Sequence, residues 1–331
     1  MKVLITGAAG SLGRQLIERL SKNQTIEIFA TDIKVDPFSN GRFSNEKFHY
    51  FQVDLTHSKF NQWVRDVEPQ VVVHLASILQ LSPKMTKEKA YEIDVEATQS
   101  LLQTSVEIGV DKLIVTSSGA AYGYFPENKS TITEQRQPKG NKDYFYSAHK
   151  AEVESILASY RDKHPALKQI VFRPGAILGP DFNGPILDLL NQKLIVGLIG
   201  YPGPFNFIWS DDVVDYIREG IYSDITGIFN IAGDGVLTMA EIARKLGKSY
   251  LALPASLVQL ALAIAKPLGI TQFGPEQVKF IKYRPVLSNQ KIKRVFQHQP
   301  KYSTSQVLEL FLSRNRFSHS ESQHSNREEI K

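Results

Sequence analysis

Tyr146 and Lys150 stand four residues apart in the run Tyr146-Ser147-Ala148-His149-Lys150. On a helix that spacing puts both side chains on one face. A phenol with its ordinary pKa of about 10 is a poor base at neutral pH. An ammonium group alongside favours the phenolate and lowers that pKa. The pair therefore reads as a general acid/base for a hydroxyl or carbonyl. Upstream lies Ser117-Ser118-Gly119-Ala120-Ala121-Tyr122-Gly123. A hydroxyl there can hydrogen-bond the oxygen that exchanges its proton with Tyr146. Ser118 is the first candidate and Ser117 the alternate. The plainer reading of this run is a strand-end turn built of small residues.

A second group could hold a phosphate. Thr6-Gly7-Ala8-Ala9-Gly10-Ser11-Leu12-Gly13 has the pattern G-x-x-G-x-x-G between an apolar run and a helical one. A pyrophosphate must approach backbone N–H groups at a helix N-terminus, and a Cβ on the turn would block it. Gly7, Ala9, Gly10, Ser11 and Leu12 are the expected contacts, while Gly13 lets the helix lie close to the sheet. An ordinary βα turn is the plainer alternative. Asp32 follows about 20 residues on, where a dinucleotide fold places the carboxylate that accepts from the adenosine ribose. Two acceptor oxygens suit the 2′- and 3′-hydroxyls and repel a 2′-phosphate. NAD is thus favoured over NADP, although Lys34 and Arg14 leave room for the latter. Asp54-Leu55 puts a carboxylate where it could meet the adenine amino group. Leu75, Ala76 and Ser77 would pass under the cofactor's sugar. His74 before them reads at least equally as a buried, hydrogen-bonded strand residue. A positive nicotinamide ring beside Tyr146 would favour the phenolate further. The eight His are scattered, and no metal site is expected.

The elements that must position these groups follow from periodicity. Apolar runs at 3–6, 26–31, 48–53, 71–75, 113–117 and 169–172 read as strands. Segments 12–20, 91–108 and 144–160 carry apolar residues at three- and four-residue spacing and read as helices. The alternation predicts βαβ units and a parallel sheet. After Arg173, Pro174, Gly179, Pro180, Gly184 and Pro185 mark a looser region. Within it 211–222, 239–246 with Thr238 as N-cap, and 254–268 read as helices, and 227–231 as a returning strand. The expected class is α/β, a Rossmann-like doubly wound parallel sheet with a smaller C-terminal substrate-binding domain. The expected division is 1–173 for NAD(P), with the strand near 227–231 rejoining its sheet, and 174–313 mostly for substrate. The polar tail 314–331 is expected to be disordered.

Composition narrows the function classes. A chain of 331 residues with 42% hydrophobic content can bury a core without staples. The absence of Cys rules out a disulfide framework, a thiolate metal site and a cysteine nucleophile. It fits a reducing compartment, so a cytoplasmic location is expected. No signal peptide is visible. The longest apolar stretch, near 251–265, is broken by Pro254, Ser256 and Gln259 and falls short of the roughly 20 residues that span a bilayer. The net charge of +5 is spread without a basic block. The expected partner is a small-molecule substrate, not nucleic acid or membrane.

Together these residues resemble an extended short-chain dehydrogenase/reductase of the NAD-dependent epimerase/dehydratase family. The resemblance rests on TGAAGSLG at 6–13, Asp32, Asp54, HLAS at 74–77, SSGAAYG at 117–123 and YSAHK at 146–150. It continues through Arg173-Pro174-Gly175, Ile177-Leu178-Gly179-Pro180, Trp209-Ser210-Asp211-Asp212-Val213 and Phe229-Asn230-Ile231-Ala232-Gly233, covering about residues 1–312. It implies Tyr146 as acid/base, Lys150 as its activator and ribose ligand, and Ser118 as donor to the substrate oxygen. It also implies Pro174 and Gly175 on the nicotinamide side, and Asp211-Asp212 as a structural joint at a helix start. A homodimer through helices 91–108 and 144–160 is the family habit.

The departures bear on substrate. His149 stands where the family usually has Ser, and Asp94 where an Asn is common. The stretch 200–207 replaces a segment that in sugar-nucleotide epimerases usually carries an Arg for the diphosphate, and Arg284 is the nearest later candidate. A nucleotide-sugar epimerase or dehydratase is the first reading. Phe205, Phe207 and Trp209 with the apolar helix near 255–265 would suit a less polar alcohol or ketone, the alternative, unless they are simply core. A non-catalytic NAD-binding protein is a second alternative. A membrane-associated enzyme rests only on the apolar helix near 255–265 and the pI of about 9.1, and such helices more often pack against the sheet domain.

Overall fold

Val, Ile, Leu and Phe fill short runs that have no polar side, so they form strands covered on both faces. The computed structural model describes residues 1–39, 46–182, 184–271 and 274–314. The first half runs β1 (Lys2–Thr6), α1 (Ser11–Leu20), β2 (Glu27–Asp32), β3 (Phe48–Gln52), α2 (Ser58–Val67), β4 (Val71–His74), α3 (Lys87–Tyr91), α4 (Ala97–Glu107), β5 (Lys112–Thr116), α5 (Phe145–Lys163) and β6 (Lys168–Pro174). The second half runs β7 (Ala176–Leu178), α6 (Pro185–Asn191), β8 (Leu194–Leu198), β9 (Phe207–Trp209), α7 (Ser210–Tyr222), β10 (Gly227–Ile231), α8 (Met239–Leu246), β11 (Ser249–Leu253), α9 (Ala255–Ala265), α10 (Gln277–Lys282) and α11 (Gln290–Val295). A last helix covers 304–314.

Seven strands form one parallel sheet in the order β10-β6-β5-β4-β1-β2-β3. This is the doubly wound, Rossmann-like arrangement. The strand order reverses between β1 and β4, and ligands of such sheets bind at that crevice, outside the carboxyl ends of the strands. Successive side chains of β1 point to opposite faces. Val3 and Ile5 pack with Leu16, Ile17 and Leu20 of α1 and with Val213, Val214 and Ile217 of α7. Leu4 packs on the other side with Phe60 of α2, Leu101 of α4, and Val153 and Leu157 of α5. A third core lies under the C-terminal part, where Leu178, Phe205, Phe207, Trp209, Met239 and Leu308 cluster.

Several elements carry details that matter at the site. The expected helix 91–108 is interrupted: α3 and α4 are joined by a π-helical turn, Glu92–Glu96, that carries Asp94. Thr238 caps α8 through a full capping box with Glu241. Asp212 accepts from His298 Nε2 at 3.0 Å, and Asp211 pairs with Arg19 at 2.9 Å. Those two carboxylates thus tie α7 to the C-terminal segment and to α1. One expectation fails here. The apolar helix near 255–265 does not pack against the sheet: no residue of α9 is buried. The expected disordered tail, apart from Arg314, lies outside the described residues.

Candidate active site

The turn after β1 forms a cradle. Gly7 has φ +70°, and a Cβ there would meet the Ala76 backbone N at 2.7 Å. The turn after β4 therefore presses against the glycine turn, which only Gly permits. Gly13 lies against the same turn, since its Cβ would sit 2.8 Å from Ala8 Cα. Ala76 N–H also reaches Thr6 Oγ1 at 3.4 Å, and Leu75 N–H reaches Thr6 O at 3.3 Å. No side chain caps the first turn of α1 at Gly10, so the backbone donors of Ser11 and Leu12 lead a helix dipole toward the crevice. The Ser11 hydroxyl donates to Pro180 O at 3.0 Å. Asp32 ends β2 beside this turn: Oδ2 accepts from Ala9 N at 3.1 Å and Oδ1 from Lys34 N at 3.0 Å. Asp54 Oδ1 accepts from Thr56 N–H and Oγ1. Burial opposes ionisation of Asp54, but the Thr56 donors and Lys89 hold its carboxyl below the usual range. Leu55 beside it is buried.

Ser118 follows β5, and Tyr146 and Lys150 lie on α5. Lys150 is buried and its Nζ donates to Thr116 O at 3.0 Å, 5.8 Å from the centre of the Tyr146 ring. Ser118 lies beside the Tyr146 phenol and favours its ionised form, and its Oγ accepts from Ala120 N at 3.1 Å. Ser147 fixes the start of α5 through Ala120 O at 2.6 Å. The expected lowering of the Tyr146 pKa is not supplied by the protein itself. Burial pushes the phenol up to about 12, Ser118 opposes this, and Asp94 and Tyr124 add to it. Burial likewise pushes the Lys150 ammonium down, opposed by Asp94 and Glu154. His74 is the buried strand residue of the plainer reading. It bridges Thr6 Oγ1 at 2.7 Å and Thr98 Oγ1 at 2.9 Å, and burial drives its pKa down to about 3.

The two departures from the family pattern meet. His149 Nδ1 lies 3.0 Å from Asp94 Oδ2, and both residues are buried. Asp94 Oδ1 accepts from Ile78 N at 2.8 Å and Ser77 Oγ at 3.1 Å. The pair thus joins the turn after β4 to α5, directly beside Lys150. The His149 ring is held edge-on between Tyr91 and Phe145, each 5.4 Å away.

Two of the substrate-side expectations are corrected. Ser117 does not face Tyr146: it is buried and donates to Glu154 Oε1 at 2.5 Å. It belongs to a network in which Arg173 grips Glu154 and reaches Tyr122 OH at 2.7 Å. Phe207 is fully buried, stacked 5.7 Å from Phe205, and is core. The same holds for Phe205 and Trp209. Arg284 stays near the site. Its guanidinium lies 3.9 Å over the Phe205 ring and 5.8 Å from the Tyr124 ring, and its buried Nε has no partner. Pro174 ends β6, and Gly175 N–H donates to Ile231 O at 2.8 Å. Sequence reasoning missed the aromatic wall of Tyr124, Tyr144 and Phe280, which packs with Tyr146. It also missed Glu154, although Glu154 follows Lys150 by four residues on the same helix face.

The structure thus brings Ser118, Tyr146 and Lys150 together and sets the uncapped first turn of α1 at the strand-order reversal. Comparison with known proteins identifies the family. The family model "NAD dependent epimerase/dehydratase family" matches residues 3–218. A UDP-glucose 4-epimerase of Mycolicibacterium smegmatis is 26% identical, over 93% of this chain and 96% of that protein. Among solved structures, the Thermus thermophilus UDP-glucose 4-epimerase complex with NAD superposes with a TM-score of 0.72 at 22% identity, covering 96% of this chain and 99% of that one. The UDP-glucuronic acid 4-epimerase from Bacillus cereus in complex with NAD gives 0.70 at 20% identity, covering 93% and 96%. The family match spans well over half of the sequence and holds both the glycine turn and the Tyr–Lys pair, and on that ground the chain belongs to the NAD dependent epimerase/dehydratase family.

Proposed function

We propose that the protein moves hydride at a carbinol carbon of a nucleotide sugar, as an NAD-dependent epimerase or dehydratase. The observation that carries the reading is the placing of Ser118 and Lys150 beside the Tyr146 phenol, with Lys150 one helical turn along and its Nζ 5.8 Å from the ring centre. The residues fit NAD: Gly7 lets the turns after β1 and β4 meet at the strand-order reversal, the first turn of α1 lacks a side-chain cap, and Asp32 holds a carboxylate at the end of β2. Ser11, Leu12 and their neighbours at 7–13 would hold the pyrophosphate, and Asp32 the adenosine ribose. Asp54 and Leu55 would hold the adenine, and Leu75, Ala76, Ser77, Tyr146, Lys150, Pro174 and Gly175 the nicotinamide half. When bound, NAD supplies the hydride acceptor and a positive ring beside the phenol. Ser118 orients the substrate oxygen. Tyr146 takes the hydroxyl proton when the carbonyl forms and returns it when the carbonyl is reduced. Lys150 places its ammonium behind the phenol and favours the phenolate.

Arg284 is the cation offered to a substrate diphosphate, since its buried Nε lacks a partner. A second reading, a less polar alcohol or ketone, draws support from the wall of Tyr124, Tyr144 and Phe280 beside Tyr146. We also read residues 1–173 with β10 as the cofactor part, and 174–313 mostly as the substrate part. A homodimer through α4 and α5, which pack side by side, and a cytoplasmic location complete the reading. The test is turnover on a panel of UDP- and dTDP-sugars against apolar alcohols and ketones. Interconversion of a nucleotide sugar that Arg284→Ala weakens chiefly through KM supports the first reading. Turnover of apolar alcohols alone contradicts it.

A further inference from the structure

Among the described residues, sixteen large hydrophobic side chains are exposed, and nine of them fall in one unit built of β8, β11, α9 and the segments beside them. Leu257, Leu260 and Ile264 project from α9, while Leu268 and Ile270 in the following turn are 66% and 74% exposed. The eleven residues of α9 include no charge and no buried position. A single stripe, Ala255, Val258, Leu262 and Ala265, is half-covered, and α10 packs against the helix. The remaining circumference is open. β8 and β11 pair in parallel and continue the apolar surface through Leu194, Tyr250 and Leu251.

The segments that build this surface carry cations and no carboxylate of their own. Residues 189–210 and 242–275 contain no Asp or Glu, yet they carry Lys193, Arg244, Lys245, Lys248 and Lys266. Lys245 and Lys266 pair with Glu309 and Glu276 from outside those segments, while Lys193 and Arg244 are exposed. A protein groove covers one face of a helix. The open side of α9, its following turn and the strand edges need a continuous apolar medium instead. Cations without carboxylates favour an anionic surface at its edge. An eleven-residue helix is about 16 Å long, about half of the ~30 Å hydrocarbon layer, so it lies in the interface and does not cross it. Here the half-covered stripe on the protein side takes the place of the usual polar face.

We propose that α9, with the β8–β11 pair and the turn at 266–270, is a docking surface for an anionic lipid bilayer. This goes beyond the catalytic reading and departs from the sequence expectation of no membrane partner. It would set the site one helix from the membrane, because the Phe280 ring of α10 packs, tilted, with its centre 4.7 Å from that of Tyr124 and 4.6 Å from that of Tyr144.

The test is flotation of the full chain with phosphatidylcholine vesicles, with and without phosphatidylglycerol. The expected result is co-flotation with the phosphatidylglycerol vesicles, reduced at least about tenfold in Leu260→Glu/Ile264→Glu by loss of apolar insertion. Retained dinucleotide binding shows that this variant is folded. A second variant, Lys193→Glu/Arg244→Glu, keeps the apolar face and should lose the preference for the anionic vesicles. Failure of the wild type to float with either vesicle overturns the proposal, as does equal flotation of both variants. A wild-type dimer that Leu260→Glu/Ile264→Glu turns into monomer, without any vesicle binding, also overturns it and makes the face an interface between copies.

Discussion

Tyr146 sits where its own surroundings resist its ionisation, with burial pushing it to about 12. In the proposed mechanism, proton transfer near neutral pH would then depend on the ammonium of Lys150 and the positive charge brought by the cofactor. Tyr146→Phe should lower turnover by about 10²- to 10⁴-fold while leaving thermal unfolding and dinucleotide binding unchanged. Steady-state assays beside a melting curve check this, and full activity in the variant contradicts the role. His74 gives a pH signature. Its pKa is lowered from 6.5 to about 3, so its folded form binds the proton less well than the unfolded chain. The neutral imidazole contributes stability above about 6.5, and that contribution is lost as pH falls toward about 3. His74→Gln should flatten the acid loss of stability across that window, read by urea unfolding at a series of pH values. An unchanged slope would show that His74 does not titrate this way. The proximity of Tyr146, Lys150 and Ser118 was legible because spacing along one helix and one strand end carries it. Ser117 was not, because adjacent residues of a strand end point to opposite sides and the sequence does not say which faces the pocket.

At the scale of elements, the glycine turn and the turn after β4 act as one piece. Ala at Gly7 meets both a φ of +70° and the Ala76 backbone. The backbone strain alone costs about 1–3 kcal/mol, so Gly7→Ala should lower stability by at least that and abolish retained dinucleotide. Denaturant unfolding and nucleotide analysis measure both. The π-helical turn and α5 are joined by Asp94 and His149. A double-mutant cycle with Asp94→Asn and His149→Ser should give a coupling of about 1–3 kcal/mol, with the double variant closer to wild type than the sum of the singles. Strict additivity would remove the pair from the account. No periodicity reveals this contact, since its partners lie 55 residues apart. The six strands of the first half and α8 with its Thr238 cap were readable because apolar runs and caps are local signals. The three-residue strands β7 and β9 are too short for any period to register. Phe207 misled because an aromatic run reads alike in a core and in a pocket.

At the scale of the whole molecule, the sheet order places the glycine cradle at the strand-order reversal, and β10 returns from the C-terminal half to close the sheet beside β6. One face of the sheet carries α1, α7 and α11, and the other α2, α4 and α5. That division leaves the C-terminal part free to build a separate core and to expose α9. Parallel βαβ order was legible from alternating strands and helices. The exposure of α9 was not, because an apolar helix has the same sequence whether it meets a sheet or a bilayer. The central claim is that this scaffold holds NAD while Tyr146 moves a proton at the substrate. The most direct measurement is to denature the purified protein and identify the dinucleotide released, its amount and its redox state. The account predicts NAD(H) close to one per chain, retained through purification and lost in Gly7→Ala. A protein that releases no dinucleotide and gains none from saturating NAD would contradict it.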